Sequence, residues 1–137
     1  MDEIHDTLAD LDAGTPVWFT FAACLLPVGI LGQFLSAGLA LFSDISLWEL
    51  HAILGGGLSL PVITLLIGSL IVARLRGFGW WAGLMFGLYV GQVMLAAGST
   101  PPLLWLHPFN GTLLFGAASI LLFKVARRVA AGRVRTH

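Results

Sequence analysis

The sequence predicts an all-α membrane protein, an antiparallel bundle of four transmembrane helices built from two tandem helical hairpins. Three observations lead to this fold. The 137 residues are 58% hydrophobic and only 10% charged, whereas a soluble domain carries roughly 25% charged residues. Four apolar stretches each reach the length of about 20 residues that a spanning helix needs. The breaks between them are short, so consecutive helices are expected to be antiparallel neighbours.

The predicted spans are residues 17–42, 48–73, 78–98 and 103–126. Residues 43–46 form a polar turn and residues 74–77 form a basic one. Residues 99–102 end in two prolines, which stop a helix because proline lacks the N–H donor and clashes with the preceding turn. Helices suit lipid because they satisfy their own backbone polar groups. Pro27 and Pro61, inside the first two spans, are expected to kink them.

The charges of the chain are sorted by position. An acidic tail, residues 1–16, precedes the spans, and a basic tail, residues 127–137, follows them. Arg74, Arg76 and Lys124 fall on the same side as the basic tail, while the two connections on the other side contain no lysine or arginine. The positive-inside rule therefore predicts that both termini are cytoplasmic. We expect the protein to lie in the plasma membrane of a prokaryote.

Two histidines lie in equivalent settings near the starts of the second and fourth spans. His51 comes three residues after a tryptophan and four before Gly55, and His107 comes two after a tryptophan and four before Gly111. Ionisable side chains inside membrane segments are costly and point to function. A lone interfacial histidine is usually only an amphipathic residue at the headgroup level. The inference of a functional site therefore depends on the presence of two histidines in equivalent settings.

The two halves of the chain resemble each other. Gln33 in the first span corresponds to Gln92 in the third, and His51 corresponds to His107, with an offset of 56 to 59 residues. Both hairpins start on the same side, which predicts a parallel repeat with its axis along the membrane normal. The two imidazoles are then expected at nearly the same depth, on helices that face each other.

Two facing imidazoles favour a haem site with His51 and His107 as the axial ligands of the iron, because histidine is a common haem ligand and four-helix bundles house cofactors between facing helices. Gly55 and Gly111 are expected to leave room for the macrocycle. Gln33 and Gln92 are expected to hydrogen-bond a histidine or a bound ligand. This hypothesis describes a b-type haem protein that transfers electrons or senses redox state. The chain has no Cys-x-x-Cys-His sequence for covalent attachment.

The arrangement resembles one half of haem A synthase, a four-helix unit with one histidine near the outer end of its second helix and one near that of its fourth. It also resembles a small uncharacterised bacterial and archaeal family with a His-x-x-x-Gly segment followed by a His-Pro-x-Asn segment, here residues 51–55 and 107–110. The resemblance implies haem binding. The first histidine of haem A synthase lies in a Glu-x-x-His-Arg motif. Here Glu49 lies only two residues before His51, and Ala52 follows it. Hydroxylation of a haem methyl group is therefore not expected.

Two other functions remain open at this point. The chain is alternatively a haem-free membrane anchor or accessory subunit of a larger complex, with Gly83, Gly87 and Gly91 as a helix-contact stripe. It is alternatively a quinone-binding protein that uses the two glutamines and a histidine. Two histidines are too few to form a zinc site by themselves, because zinc takes three or four protein ligands. The expected partners are the lipid bilayer, a membrane redox partner or larger complex, or a second copy of the chain, and no nucleic-acid motif is visible.

Overall fold

A computed structural model of the protein describes residues 14–98 and 100–134. All regular structure in these ranges is helical. Four helical stretches in them are long and apolar enough to cross a membrane: Val17–Phe42, Ile45–Ile71, Ala73–Gly98 and Leu106–Ala131. The predictions of an all-helical chain and of four helices of spanning length are therefore confirmed. Most of the predicted acidic tail, residues 1–13, lies outside the described residues, as do residues 135–137.

The first helix, α1, spans Val17–Phe42 and has the predicted bounds. Its first turn is closed by the carbonyl of Pro16, which accepts the N–H groups of Phe19 and Thr20. The connection that follows is ordered by Asp44, whose carboxylate accepts the N–H of Ser46 at 2.9 Å and caps a short 3-10 helix, Ile45–Leu47. This bond lowers the pKa of the Asp44 carboxyl below its usual value, because it stabilises the charged form.

The second spanning stretch consists of two helices, α2 (Trp48–Gly57) and α3 (Ser59–Ile71), with a break at Leu58. Pro61 explains the break, because it has no N–H for the carbonyl of the residue four positions earlier and its ring clashes there. The three glycines that end α2 also have low helix propensity. The kink predicted at Pro61 therefore appears one turn upstream of the proline.

The remaining elements differ from the predicted bounds at their ends. A 3-10 segment, Ala73–Phe78, leads into α4, Gly79–Gly98. A one-turn helix, α5 (Pro101–Leu104), precedes α6, Leu106–Val134. Helix α6 continues eight residues beyond the predicted span, since the alanines and arginines that follow it favour helix even where the sequence is no longer apolar.

The helices contact one another in a ring. Helix α1 packs against both α2 and α3, α3 packs against α4, α4 packs against α6, and α6 packs back against α1. Helix α1 also lies close to the break between α2 and α3 at Gly29, where a Cβ atom would overlap the side chain of Leu58. Helices α2 and α6, which carry the two histidines, therefore occupy opposite positions in the ring.

The buried apolar core is confined to one end of the helices. It comprises residues between 19 and 30 of α1, 58 and 65 around α3, 75 and 85 at the start of α4, and 114 and 125 of α6. We call this end, which also carries Arg74, Arg76 and Lys124, the basic end. We call the opposite end, which carries His51 and His107, the histidine end. Of the residues described at the histidine end, the buried ones are small: Ser36, Ala40 and Gly111.

Leu65→Ala should destabilise the protein by about 2–5 kcal/mol, because it leaves a cavity at a fully buried position of the core. Leu60→Ala, on the same helix at a side chain that is 71% exposed, is the matched control and should change stability little. Equilibrium unfolding in detergent, followed by circular dichroism, measures both. Equal losses for the two variants would show that the core does not lie at the basic end.

Candidate functional site

Four polar side chains meet at the histidine end, one from each spanning stretch. Gln33 comes from α1, His51 from α2, Gln92 from α4 and His107 from α6. The ring centroids of the two histidines are 6.3 Å apart, with an angle of 61° between the ring planes. Both histidines are half-buried. The structure therefore brings together all four of the polar residues that the sequence singles out.

His51 is held by the helix that precedes it. Its Nδ1 lies 3.1 Å from the main-chain oxygen of Gln33 and 3.0 Å from Oγ of Ser36. The Ser36 hydroxyl itself donates to the same Gln33 carbonyl at 3.0 Å. Because a carbonyl oxygen only accepts, the network assigns the proton of the neutral ring to Nδ1. The lone pair of His51 Nε2 is then left for another donor or for a metal.

His107 has the same bond to the same kind of group. Its Nδ1 lies 3.2 Å from the main-chain oxygen of Gln92, which again places the proton on Nδ1. In addition, the side-chain nitrogen of Gln92 lies 3.1 Å from Nε2 of His107. Asn110 donates one amide hydrogen to the Gln92 side-chain oxygen at 2.7 Å and the other to the Leu88 carbonyl at 2.9 Å. This fixes the Gln92 amide with its NH₂ group towards His107.

The two halves of the site are related residue by residue. Gln33 and His51 are joined by the same carbonyl-to-Nδ1 bond as Gln92 and His107. The separation along the chain is 18 residues in the first pair and 15 in the second, so the difference is taken up in the connection between the helices. The hydrogen bonds thus follow the internal repeat that the sequence predicts.

Gly55 and Gly111 lie beside the glutamine side chains. A Cβ atom on Gly55 would come within 3.3 Å of Oε1 of Gln33, and one on Gly111 would come within 3.3 Å of Nε2 of Gln92. The space that each glycine leaves is therefore used by an amide group next to its histidine. The glycines thus let the glutamines lie back against α2 and α6, and their role in accommodating a macrocycle stays a prediction.

One polar atom at the site is unsatisfied. Nε2 of Gln33 is buried and has no hydrogen-bond partner among the described residues. A buried donor without an acceptor costs about 1–3 kcal/mol. The equivalent atom of Gln92 is bonded to His107, so the two halves differ in this respect.

Sequence reasoning missed three contributors. Ser36 supports His51, Asn110 orients Gln92, and Tyr89 donates its hydroxyl at 2.9 Å to the Gly55 carbonyl, two residues before the end of α2. A signal was available for two of them. Ser36 lies one turn after Gln33, and Asn110 lies one turn after His107, so each shares a helix face with a predicted site residue.

Within residues 14–98 and 100–134, no three histidine, cysteine, aspartate or glutamate side chains come together as a metal-ligand group. A zinc ion, which needs three or four such ligands, has no complete ligand set in this part of the chain. A haem iron needs only two axial ligands from the protein, since the porphyrin supplies the other four. The donor set at the histidine end thus fits haem better than a bare ion.

Residues 33–100 match the model of a protein family described as a family of unknown function, DUF6220. The match covers just under half of the chain; it starts at Gln33, includes His51 and Gln92, and ends before His107. Over this segment the chain is similar to that family. No curated protein and no solved structure matches the chain. The resemblance to half of haem A synthase therefore stays a prediction.

Asn110→Leu should lower the free energy of unfolding by about 1–3 kcal/mol, because it removes the donor to the Gln92 oxygen while keeping similar volume. Thr112→Val is the matched control, since this exposed hydroxyl bonds only to the carbonyl of Pro108 in its own helix. Thermal unfolding in detergent measures both variants. An Asn110→Leu protein as stable as the Thr112→Val protein would contradict the inferred role of Asn110.

Proposed function

We propose that the protein is an integral membrane bundle of four antiparallel helices that binds one haem b between His51 and His107 and transfers single electrons. The membrane part of the proposal is supported by the four long apolar helices. It is also supported by the many large apolar side chains on their outer surfaces, such as Phe21, Leu70 and Phe123, each more than 60% exposed. Lipid is the environment that covers such surfaces.

The orientation part of the proposal follows from the charges. Arg74, Arg76 and Lys124 belong to the basic end, and the connections at the histidine end carry no lysine or arginine. Positively charged loops favour the cytoplasm. The basic end and both termini are then cytoplasmic, and the haem lies near the outer face.

Single cysteines at Ser46 and Thr100 should react with a membrane-impermeant thiol reagent added outside intact cells, whereas a cysteine at Arg76 should react only after permeabilisation. All three positions are exposed. The native Cys24 is first replaced by serine so that it gives no background. Labelling of the Ser46 and Arg76 positions from the same side would rule out the proposed topology.

The observation that carries the haem proposal is the spacing of the two imidazoles. A ring nitrogen lies about 1.1 Å from the centroid of a five-membered ring whose bonds are about 1.3–1.4 Å. With metal–nitrogen bonds of about 2 Å, two imidazoles on opposite sides of one iron have centroids about 6.2 Å apart. The separation in the protein is 6.3 Å. The ring spacing therefore matches that of two imidazoles sharing an iron, and the Gln92 amide, 3.1 Å from Nε2 of His107, would have to leave that nitrogen for the iron to bind it.

The hydrogen bonds of the histidines also suit ligation. Both rings are oriented through Nδ1, by the carbonyls of Gln33 and Gln92. Histidine ligands of metals commonly donate their second N–H in this way, which fixes the tautomer and raises the basicity of the nitrogen that binds. In both rings the remaining nitrogen is Nε2, so ligation through Nε2 is expected on each side.

The histidine end also has features that a bound molecule would explain. Large side chains do not fill its interior as they fill the basic end, where the buried core includes Phe19, Leu65 and Phe78. The buried amide nitrogen of Gln33 has no acceptor in the part of the chain that the structure describes. Bound haem would supply a one-electron couple, while the main-chain carbonyls of Gln33 and Gln92 hold the rings and the apolar helices exclude water.

Quinone binding is the second candidate, and the unsatisfied amide of Gln33 favours it specifically. A quinone carbonyl is an acceptor that a buried NH₂ group could satisfy. The quinone hypothesis does not explain why the two imidazoles are 6.3 Å apart, because a quinone does not need two histidines on opposite helices. Haem therefore remains the proposed ligand.

The protein purified from cells well supplied with haem should show a Soret band and sharp reduced α and β bands of a six-coordinate low-spin haem. His51→Ala and His107→Ala should each abolish that low-spin spectrum, because one axial bond is lost. Gly55→Leu should reduce haem content by displacing the Gln33 amide into the site, with helical content unchanged. The absorption spectrum and the haem-to-protein ratio measure these effects.

His5→Ala and His137→Ala are the controls, since both histidines lie in the polar tails and outside the described residues. They should keep the wild-type spectrum. A wild-type protein without haem, or alanine variants at residues 51 and 107 that keep the low-spin spectrum, would refute the haem proposal. A haem-free wild type that carries a tightly bound quinone would favour the second candidate, and one that copurifies in a larger complex would favour an accessory subunit.

A further inference from the structure

The two halves of the site differ at the nitrogens that would bind iron. Nε2 of His107 accepts a hydrogen bond from the side-chain amide of Gln92 at 3.1 Å. The corresponding amide nitrogen of Gln33 has no partner among the described residues, and His51 is held only through Nδ1. One histidine is thus ready to bind metal, whereas the other already has a partner at its binding nitrogen.

The partner of His107 is held firmly. Asn110 donates to Oε1 of Gln92 at 2.7 Å, which turns the amide so that its NH₂ group faces His107. In the first half of the repeat, an apolar residue, Leu54, stands at the position of Asn110, three residues after the histidine. The first half therefore lacks the residue that orients the glutamine, and this explains why Gln33 makes no such bond.

From this asymmetry we propose that His107 is an exchangeable ligand and His51 a permanent one, so that a neutral diatomic molecule can bind the haem iron in place of His107. This inference rests on the proposed haem function. His51 and His107 would hold the haem, and the Gln92 amide would compete with the iron for the lone pair of His107 Nε2. While His107 is bonded to Gln92, the iron would be free to take a neutral diatomic ligand on that side.

The chemistry of the site selects the ligand class. The side chains that hydrogen-bond around the rings, Ser36, Gln92 and Asn110, are polar but carry no charge. Trp48, edge-on to His51 at 5.4 Å between ring centroids, and Phe34, with a ring carbon 3.6 Å from where a Cβ of Gly111 would lie, add apolar surface. Reduced haem iron and its porphyrin would together carry no net charge, so a buried anion would find no countercharge there. A neutral diatomic such as carbon monoxide or nitric oxide is therefore preferred over a charged ligand.

Carbon monoxide titration of the dithionite-reduced, haem-loaded protein tests the proposal. The wild type should bind carbon monoxide with a shift of the Soret band as His107 leaves. Gln92→Leu should weaken the apparent affinity roughly tenfold, because released His107 loses its hydrogen bond and stays on the iron more of the time. Asn110→Leu, which retains Gln92 but not its orientation, should weaken it less. Thr112→Val is the control and should match the wild type.

The histidine variants should differ in the same experiment. His107→Ala should retain haem in a five-coordinate form that binds carbon monoxide at least as tightly as the wild type. His51→Ala should lose haem to a greater extent, since the remaining ligand is the one that Gln92 competes for. Equal haem loss in both variants would overturn the assignment of permanent and exchangeable ligands.

A measurement on the haem-free protein checks the hydrogen bond itself. Nitrogen NMR of protein labelled at histidine should show both site rings with the proton on Nδ1, and Gln92→Leu should shift the Nε2 resonance of His107 but not that of His51. An unshifted His107 resonance would refute the proposal whether or not haem binds. Haem that stays low-spin and does not bind carbon monoxide would refute it and leave the haem function intact, whereas a wild type without haem refutes the haem function itself.

Discussion

The histidine end depends on one interaction that occurs twice, the hydrogen bond from an imidazole Nδ1 to the main-chain oxygen of a glutamine on the preceding helix. A carbonyl in a helix has a second lone pair beyond the one used by its own helix, and its position is fixed by the backbone. The bond therefore sets both the tautomer and the direction of the ring. Gln33 does this for His51 and Gln92 does it for His107, so two flexible side chains are held in fixed orientations.

The apolar core and the polar residues of the candidate site lie at opposite ends of the helices. Apolar packing at the basic end includes Phe19, Leu65 and Phe78, which are completely buried. The polar groups lie at the other end, where each must find a partner because unsatisfied groups are costly away from water. Gln92 and Asn110 satisfy each other and His107. The amide nitrogen of Gln33 has no such partner among the residues that the structure describes, so the two halves differ in how their glutamines are satisfied.

Gly55 and Gly111 stand four residues after the histidines, and a missing side chain at that position suggests room for a flat cofactor. In the folded protein the glutamine amides occupy this room, at 3.3 Å from the place of each absent Cβ. The glycines therefore let Gln33 and Gln92 lie against α2 and α6, and their connection to a cofactor stays a prediction.

The sequence alone determined the helical class, the four stretches long and apolar enough to cross a membrane, and the pairing of His51 with His107. These depend on local properties: the length of apolar runs, the prolines that interrupt helices, and residues repeated at matching positions. Only the tertiary structure decided the 6.3 Å separation of the rings, the confinement of the core to the basic end and the asymmetry between Gln33 and Gln92. Those features depend on which helix faces meet and at what axial register. The connections between the helices absorb the three-residue difference between the halves, 18 against 15 residues from glutamine to histidine, whereas no local pattern in the sequence specifies which helix faces meet.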